Sequence, residues 1–97
     1  MSYEIHSIVV KTDSRELVVD DKRVKLTPFE FQIFNLLARS PGIAFTRQTI
    51  IDATRGEDSP TGGRAIDVHV ASLRKKLGKR RHLIETVRGV GFRMKAE

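Results

Sequence analysis

The chain has 97 residues, 39% of them hydrophobic, with no cysteine and a formal net charge of +6. This length fits one domain whose core can fold without disulfides, and the absence of cysteine excludes disulfides, thiolate metal sites and a cysteine nucleophile. Apolar runs stay well short of the roughly 18 residues of a membrane span, and the N-terminus lacks a signal-peptide pattern. The sequence therefore predicts neither a membrane-spanning helix nor export.

The positive charge is concentrated in the last third of the chain. Residues 1–61 hold 8 Lys and Arg against 9 Asp and Glu (net −1), whereas residues 62–97 hold 10 against 3 (net +7). Such asymmetry favours an anionic partner for the C-terminal segment: DNA, RNA or an acidic membrane surface. A membrane surface is the weakest of these, because the basic helix described below has only a narrow apolar stripe, which its own core needs.

Three short apolar runs, at residues 8–10, 17–19 and 24–26, predict strands near the N-terminus. Polar, turn-like segments at residues 13–15 and 20–22 separate them. We expect an antiparallel meander with one face on the core. His6 is expected to be an ordinary strand residue.

A helix is predicted to begin after Thr27. Thr27 is a favourable N-cap, Pro28 suits the first helical position, and Glu30 completes a capping box. The helix should end near residues 40–42, where Ser, Pro and Gly follow one another. Its apolar residues lie on more than one side, so we assign it to the core and give it no ligand.

A second, shorter helix is predicted from Arg47 to Ala53 or Thr54, capped by Thr46. Its inward-facing residues should be Ile50, Ile51 and Ala53. A helix N-terminus that carries Thr46 and Arg47 can hold a phosphate, although a plain cap beside a surface arginine is the simpler alternative. The polar segment RGEDSPTGG, residues 55–63, follows as a loop.

The third helix, between Gly62 and Gly78, has two contrasting faces. Its apolar residues fall at spacings of four, three and four, which gives one buried stripe: Ile66, Val70, Leu73 and Leu77. The opposite face combines small residues with cations: Arg64, Val68, Ala71, Ser72 and Lys75. This face suits a DNA major groove, which offers phosphates to cations and base edges or thymine methyls to small side chains. A solvated helix face with one stray valine is the alternative.

The alternating segments 83–88 and 91–95 predict a β-hairpin whose turn is permitted by Gly89 and Gly91. Arg88 lies next to the tip. Beside a helix that reads a groove, such an arginine can enter the adjacent minor groove. The alternative is a hairpin that only closes the core, with Arg88 in solvent.

Three motifs in this order and spacing resemble the OmpR/PhoB-type winged-helix effector domain of bacterial two-component response regulators. They are Leu26–Phe31, Ile66–Val70 with Leu73–Leu77, and Thr86–Phe92. The resemblance covers essentially the whole chain. It implies an α+β fold in a single domain over residues 1–97: a four-stranded N-terminal antiparallel sheet (1–26), a three-helix core (27–78) and a hairpin wing (82–95). The receiver domain of the family, with its phosphorylatable aspartate, is expected to be absent.

The resemblance implies sequence-specific binding of double-stranded DNA, with self-association of two domains head-to-tail on direct repeats. It implies that Arg64, Arg74 and Thr86 contact phosphates, that Val68, Ala71 and Ser72 lie in the major groove, and that Arg88 enters the minor groove. The predicted DNA-binding residues are, in full, Thr46, Arg47, Arg55, Arg64, Val68, Ala71, Ser72, Arg74, Lys75, Thr86, Arg88 and Gly89. No catalysis, cofactor or metal is expected, and the implied location is cytoplasmic and nucleoid-associated.

The loop over residues 55–63 matches the family's transactivation loop, which in some members contacts RNA polymerase. Its candidate contact residues are Arg55, Glu57, Asp58, Ser59 and Thr61. Arg55 stands where the family often has an aromatic residue, so it could hold a phosphate there, or the polymerase contact could differ.

Ala71 and Ser72 depart from the family, since several members have arginines at these two positions. A base-reading bond is therefore lost or is replaced by the Ser72 hydroxyl. Two other functions stay open: a winged-helix domain that binds protein, and nonspecific DNA binding. Catalysis is disfavoured because none of the three histidines has an evident catalytic partner. Structured RNA is disfavoured because its major groove is too narrow for a helix.

Overall fold

The computed structural model describes residues 1–54 and 63–97, without the side chain of Arg64. An N-terminal sheet is followed by helices and a C-terminal hairpin, so the predicted α+β winged-helix fold is confirmed. The elements are β1 (Ser2–Ile5), β2 (Ile8–Lys11), β3 (Glu16–Val19), β4 (Lys22–Lys25), α1 (Pro28–Ala38), β5 (Phe45–Thr46), α2 (Arg47–Ala53), α3 (Gly63–Leu77), a 3-10 helix (Gly78–Leu83), β6 (Ile84–Val87) and β7 (Gly91–Met94).

The N-terminal sheet is an antiparallel meander in the order β1-β2-β3-β4. One face is buried in the core through Ile5, Ile8, Val10, Leu17 and Val19. The prediction for His6 is wrong, because His6 lies in the turn between β1 and β2 with a positive φ of 48°. Its Nε2 lies 2.6 Å from the Lys95 carbonyl oxygen and so connects the sheet to the C-terminal segment.

The capping box of α1 is formed as predicted. The Thr27 side chain accepts a hydrogen bond from the Glu30 amide (3.2 Å), and Glu30 Oε1 accepts one from the Thr27 amide (2.9 Å). Behind this start, α1 fills the centre of the core with Phe31, Ile33, Phe34, Leu37 and Ala38. Glu30 is itself only 2% exposed, which makes it a buried charge in need of partners.

Helix α2 is capped by Thr46 as predicted, and its Ile50 is fully buried. The inward assignment of Ala53 is wrong: Ala53 is exposed, and Thr54 is buried in its place. At 100° per residue, the buried face lies between Ile50 and Ile51, which brings Thr54 onto it and turns Ala53 away. The Thr54 hydroxyl is satisfied by the Ile50 carbonyl at 2.7 Å.

The predicted hairpin is present and forms part of a second sheet in the order β5-β7-β6. Its turn contains Gly89 with a φ of 78°, a conformation that favours glycine. Gly91 pairs with both Val87 and Thr46. A Cβ on Gly91 would lie 2.0 Å from the Phe45 carbonyl oxygen, so only glycine lets β5 approach β7 this closely.

Candidate nucleic-acid interface

Helix α3 has the two faces that the sequence predicts. Its apolar stripe is buried, with Ile66 and Leu73 at 0% exposure, Val70 at 1% and Leu77 at 3%. On the opposite side, Val68 is 61% exposed, and Ala71 and Lys75 are also exposed. These three residues, Val68, Ala71 and Lys75, are called the outer face below. The predicted contact Arg64 is in the first turn of the same helix, but its side chain lies outside the described part of the structure.

One flank of α3 is attached to α1 through the buried Glu30 carboxylate. Ser72 Oγ donates to Glu30 Oε2, and Lys76 Nζ donates to Glu30 Oε1, each at 2.5 Å. On the same flank, the His69 ring packs 5.4 Å from the Phe29 ring, centroid to centroid. Ser72, predicted to lie in the major groove, is thus half-buried with its hydroxyl bonded to the protein.

The environment of Glu30 holds its pKa below the ordinary value of 4.5. Burial is the largest single effect and raises the pKa, but the hydrogen bonds from Lys76, from Ser72 and from the Thr27 amide, together with the positive charge of Lys76, lower it by more. Because the folded-state pKa lies below the unfolded-state value, the carboxylate stabilises the fold above the unfolded-state pKa. This contribution is lost as pH falls through the folded-state pKa.

A Glu30→Gln variant tests this linkage. We expect the substitution to lower the free energy of unfolding at pH 7 by about 1–3 kcal/mol, because hydrogen bonds to a buried charge are lost. Urea unfolding at pH 7 and pH 3 should then show a smaller acid destabilisation in the variant than in the wild-type chain. Equal acid destabilisation of the two proteins would mean that Glu30 does not carry this pH dependence.

The other flank of α3 is attached to α2. Arg47 Nε donates to Asp67 Oδ1 at 2.8 Å, and the Arg47 guanidinium lies 5.0 Å from the centroid of the Phe92 ring. Arg47, predicted as a phosphate contact, is therefore held beside α3 by a carboxylate and an aromatic ring. Its side chain remains 39% exposed, so the guanidinium is accessible from solvent.

Arg74 and Thr86, both predicted phosphate contacts, meet at the base of the hairpin. Arg74 donates to the Ile84 carbonyl through Nε (3.1 Å) and Nη2 (2.6 Å), and through Nη2 to Thr86 Oγ1 (2.9 Å). Its guanidinium also lies 5.5 Å from the Phe92 ring centroid. Burial, followed by repulsion from Arg81, lowers the pKa of Arg74. These bonds fix the angle between α3 and the hairpin.

The hairpin tip carries Arg88 and Gly89, both exposed. The turn is closed by a hydrogen bond from the Val90 amide to the Val87 carbonyl at 2.9 Å. At the start of α2, the Thr46 hydroxyl accepts from the Thr49 amide (3.0 Å) and donates to Thr49 Oγ1 (2.8 Å), so it acts as a cap. The predicted loop residues Arg55, Glu57, Asp58, Ser59 and Thr61 lie outside the described residues.

Sequence reasoning missed the residues that position this surface. In the sequence, Glu30 has a recognisable role only as part of a cap, and Asp67 belongs to neither the apolar stripe nor the opposite face of α3. Phe92, which is 3% exposed, lies beside two guanidinium groups from different helices. Each partner pair is distant in sequence, by 42 residues for Glu30 and Ser72 and by 20 for Arg47 and Asp67. Helical periodicity gives no signal for such pairs.

The comparisons with known proteins agree with this geometry. Residues 21–94 match the family described as "Transcriptional regulatory protein, C terminal". The Heme response regulator HssR of Staphylococcus haemolyticus is 39% identical over 93 residues, which are 94% of this chain and 42% of HssR. The chain thus spans less than half the length of this curated relative.

Solved structures share the fold. The DNA-binding domain of the response regulator AdeR, determined in complex with an intercistronic region, superposes with a TM-score of 0.83 at 28% identity, covering 98% of this chain and all of that one. The response regulator DrrB of Thermotoga maritima, an OmpR/PhoB homologue, also has a TM-score of 0.83, at 22% identity. The alignment with DrrB covers 98% of this chain and 44% of DrrB, and it supports the fold alone.

Within residues 1–54 and 63–97, no helix is both long enough and apolar enough to cross a membrane. The family is one of transcription regulators rather than enzymes. The family match, the similarity to HssR and the structural likeness to AdeR all indicate the same class. The chain therefore belongs to the family of C-terminal domains of transcriptional regulatory proteins, and it shares the fold of OmpR/PhoB-type response-regulator domains.

Proposed function

We propose that residues 1–97 act as one domain that binds double-stranded DNA sequence-specifically. In this proposal α3 lies in the major groove and the hairpin acts as a wing whose Arg88 enters the minor groove. The observation that carries the proposal is the outer face of α3. Val68 is 61% exposed at its centre, and both flanks of the helix are attached to the rest of the fold. A fixed helix with a small, partly apolar exposed face suits close approach to base edges.

The charged residues around the outer face support the same partner. Lys75 lies on it, Arg47 is anchored beside it, and Arg88 projects from the hairpin tip. Phosphates on both sides of a groove would meet these cations, while Arg74 and Thr86 fix the wing relative to the helix. We propose Gly89 as the residue that lets the tip turn beside the minor groove, and Arg64 as a further phosphate contact at the start of α3.

We further propose that two copies bind adjacent half-sites head-to-tail, and that the loop over residues 55–63 contacts RNA polymerase or, through Arg55, a phosphate. The head-to-tail arrangement is the one that the family resemblance implies, because domains in the same orientation read direct repeats. The loop proposal rests on the position of the loop in the sequence, directly before α3. A protein that acts in this way would be located with the nucleoid in the cytoplasm.

Replacing thymine by deoxyuridine tests the contact of Val68 with the major groove. Take the tightest-binding duplex from a random library and exchange each thymine in turn, which removes one methyl group. At the position that faces Val68, we expect affinity to fall about fourfold, because a buried methyl is worth about 0.8 kcal/mol. Fluorescence anisotropy titrations give the affinities.

The matched control is a Val68→Ala variant on the same duplexes. Because this variant lacks the apolar partner of the methyl group, we expect its DNA affinity to fall less than twofold on the same exchange of thymine for deoxyuridine. If wild-type protein and variant lose the same affinity at every thymine, Val68 does not contact a thymine methyl.

An Arg88→Ala variant tests the wing. We expect it to weaken binding and to flatten the preference for A·T pairs beside each half-site, because narrow A·T-rich minor grooves attract arginine. The slope of log affinity against log salt should also become shallower by about 1 per bound domain. Unchanged affinity, base preference and slope would remove Arg88 from the interface.

A further inference from the structure

The hydroxyl of Ser72 is on the border between the outer face of α3 and the core. On the helical wheel Ser72 is 40° from Val68, which places its Cα near the proposed groove. Its side chain nevertheless turns inward, and Oγ donates to Glu30 Oε2 at 2.5 Å. A serine hydroxyl has a single proton to donate. While Ser72 donates that proton to Glu30 Oε2, it cannot donate it to an acceptor on a base.

The acceptor that holds Ser72 is fixed in place. Glu30 is 2% exposed, and its other oxygen accepts from the Thr27 amide and from Lys76. A buried carboxylate needs every available donor, because desolvation penalises its charge. If Ser72 turned toward the groove, Glu30 Oε2 would lose the donor described for it. A hydrogen bond from Ser72 to a base edge would then have to offset this loss, and water would compete for the same base acceptor.

We propose that Glu30 sets the base preference of this domain by keeping the Ser72 hydroxyl out of the groove. Glu30 is then a positioning residue that acts through Ser72, and sequence readout by the described part of α3 falls to its outer face, Val68, Ala71 and Lys75. This inference rests on the proposed DNA-binding function. It replaces the sequence-based expectation that the Ser72 hydroxyl stands in for a base-reading arginine.

The experiment is a selection from one random duplex library with four proteins: wild type, Ser72→Ala, Glu30→Ala and the double variant. We expect Ser72→Ala to give the wild-type base preference, because the hydroxyl that it removes does not face DNA. Glu30→Ala releases that hydroxyl, so we expect the preference at one base pair per half-site to change by about 3- to 10-fold, the effect of one net hydrogen bond.

The double variant separates positioning from general loss of structure. Because it lacks the released hydroxyl, it should return to the wild-type preference even though its stability remains reduced. If the role of Glu30 is merely structural, Glu30→Ala and the double variant should show the same base preference. That result would overturn the proposal. Thermal unfolding of all four proteins establishes that each is folded at the selection temperature.

Two further outcomes would contradict either the Glu30 proposal or the proposed function. A changed preference in Ser72→Ala alone would show that the hydroxyl reads a base, and the proposal would be wrong. Should Glu30→Ala not fold, a changed preference in Ser72→Ala would still overturn the proposal. A wild-type protein that enriches no motif would contradict the proposed sequence-specific function itself, and so is distinguishable from a failure of the Glu30 proposal.

Discussion

Replacing Leu73 by alanine should lower the free energy of unfolding by about 2–5 kcal/mol, the cost of truncating a buried leucine. Leu73 is 0% exposed at the middle of the α3 stripe, in one core with residues of α1, α2 and both sheets. The cavity would lie where these elements meet, so little relaxation is available. With a typical total stability of about 5–15 kcal/mol, the variant should be partly unfolded at moderate urea concentrations that leave the wild-type chain folded.

Val68→Ala is the matched control on the same helix. Val68 is 61% exposed, so we expect its truncation to change the free energy of unfolding by less than about 0.5 kcal/mol. The two variants should also weaken DNA binding for different reasons: Val68→Ala weakens it in the folded protein, whereas Leu73→Ala weakens it only through unfolding. Urea denaturation followed by circular dichroism measures the free energy of unfolding, and fluorescence anisotropy measures the DNA affinity. Full stability of Leu73→Ala would refute the assignment of the buried stripe.

Salt should weaken DNA binding by about 10³–10⁵-fold between 50 and 200 mM, as expected for 6–10 phosphate contacts. The proposed contacts of one domain include the cations Arg47, Arg64, Lys75 and Arg88. Two domains on tandem half-sites would therefore reach this range. The expected slope of log affinity against log salt lies near −0.9 for each phosphate neutralised.

An Arg23→Ala variant controls for the loss of one positive charge outside the proposed contacts. Arg23 is exposed on β4, where it pairs with Val18 of β3 in the N-terminal sheet. Its salt slope should match that of the wild-type protein. A shallow wild-type slope would contradict a phosphate-binding surface and favour a protein partner, starting with the loop at residues 55–63.

Local patterns predicted much of this structure because they report local physics. The cap at Thr27 and the stripe through Leu73 both depend on residues within one or two helical turns, and both are confirmed. The hairpin at Gly89 depends on backbone conformations that the sequence specifies directly. The motif resemblance added the order of the elements and the class of the domain.

Long-range contacts explain what the sequence could not predict. The side of α2 that packs inward depends on how α2 sits against its neighbours, which is why Ala53 was misplaced. His6 looked like a strand residue, but the turn and the Lys95 carbonyl determine its conformation. For the candidate site, the helical wheel predicted the exposure of Val68, Ala71 and Lys75 correctly. It did not predict that Ser72 turns inward, or that the carboxylates of Glu30 and Asp67 anchor the helix.

Selection from a random duplex library, followed by sequencing of the bound fraction, tests most directly whether α3 reads DNA sequence. The proposed function predicts enrichment of two direct half-sites about one helical turn apart, roughly 10–10.5 base pairs centre to centre. Binding that is steeply salt-dependent but enriches no motif would contradict sequence-specific recognition by α3 and leave only an electrostatic interaction. Absence of binding at low salt would contradict the DNA-binding function altogether.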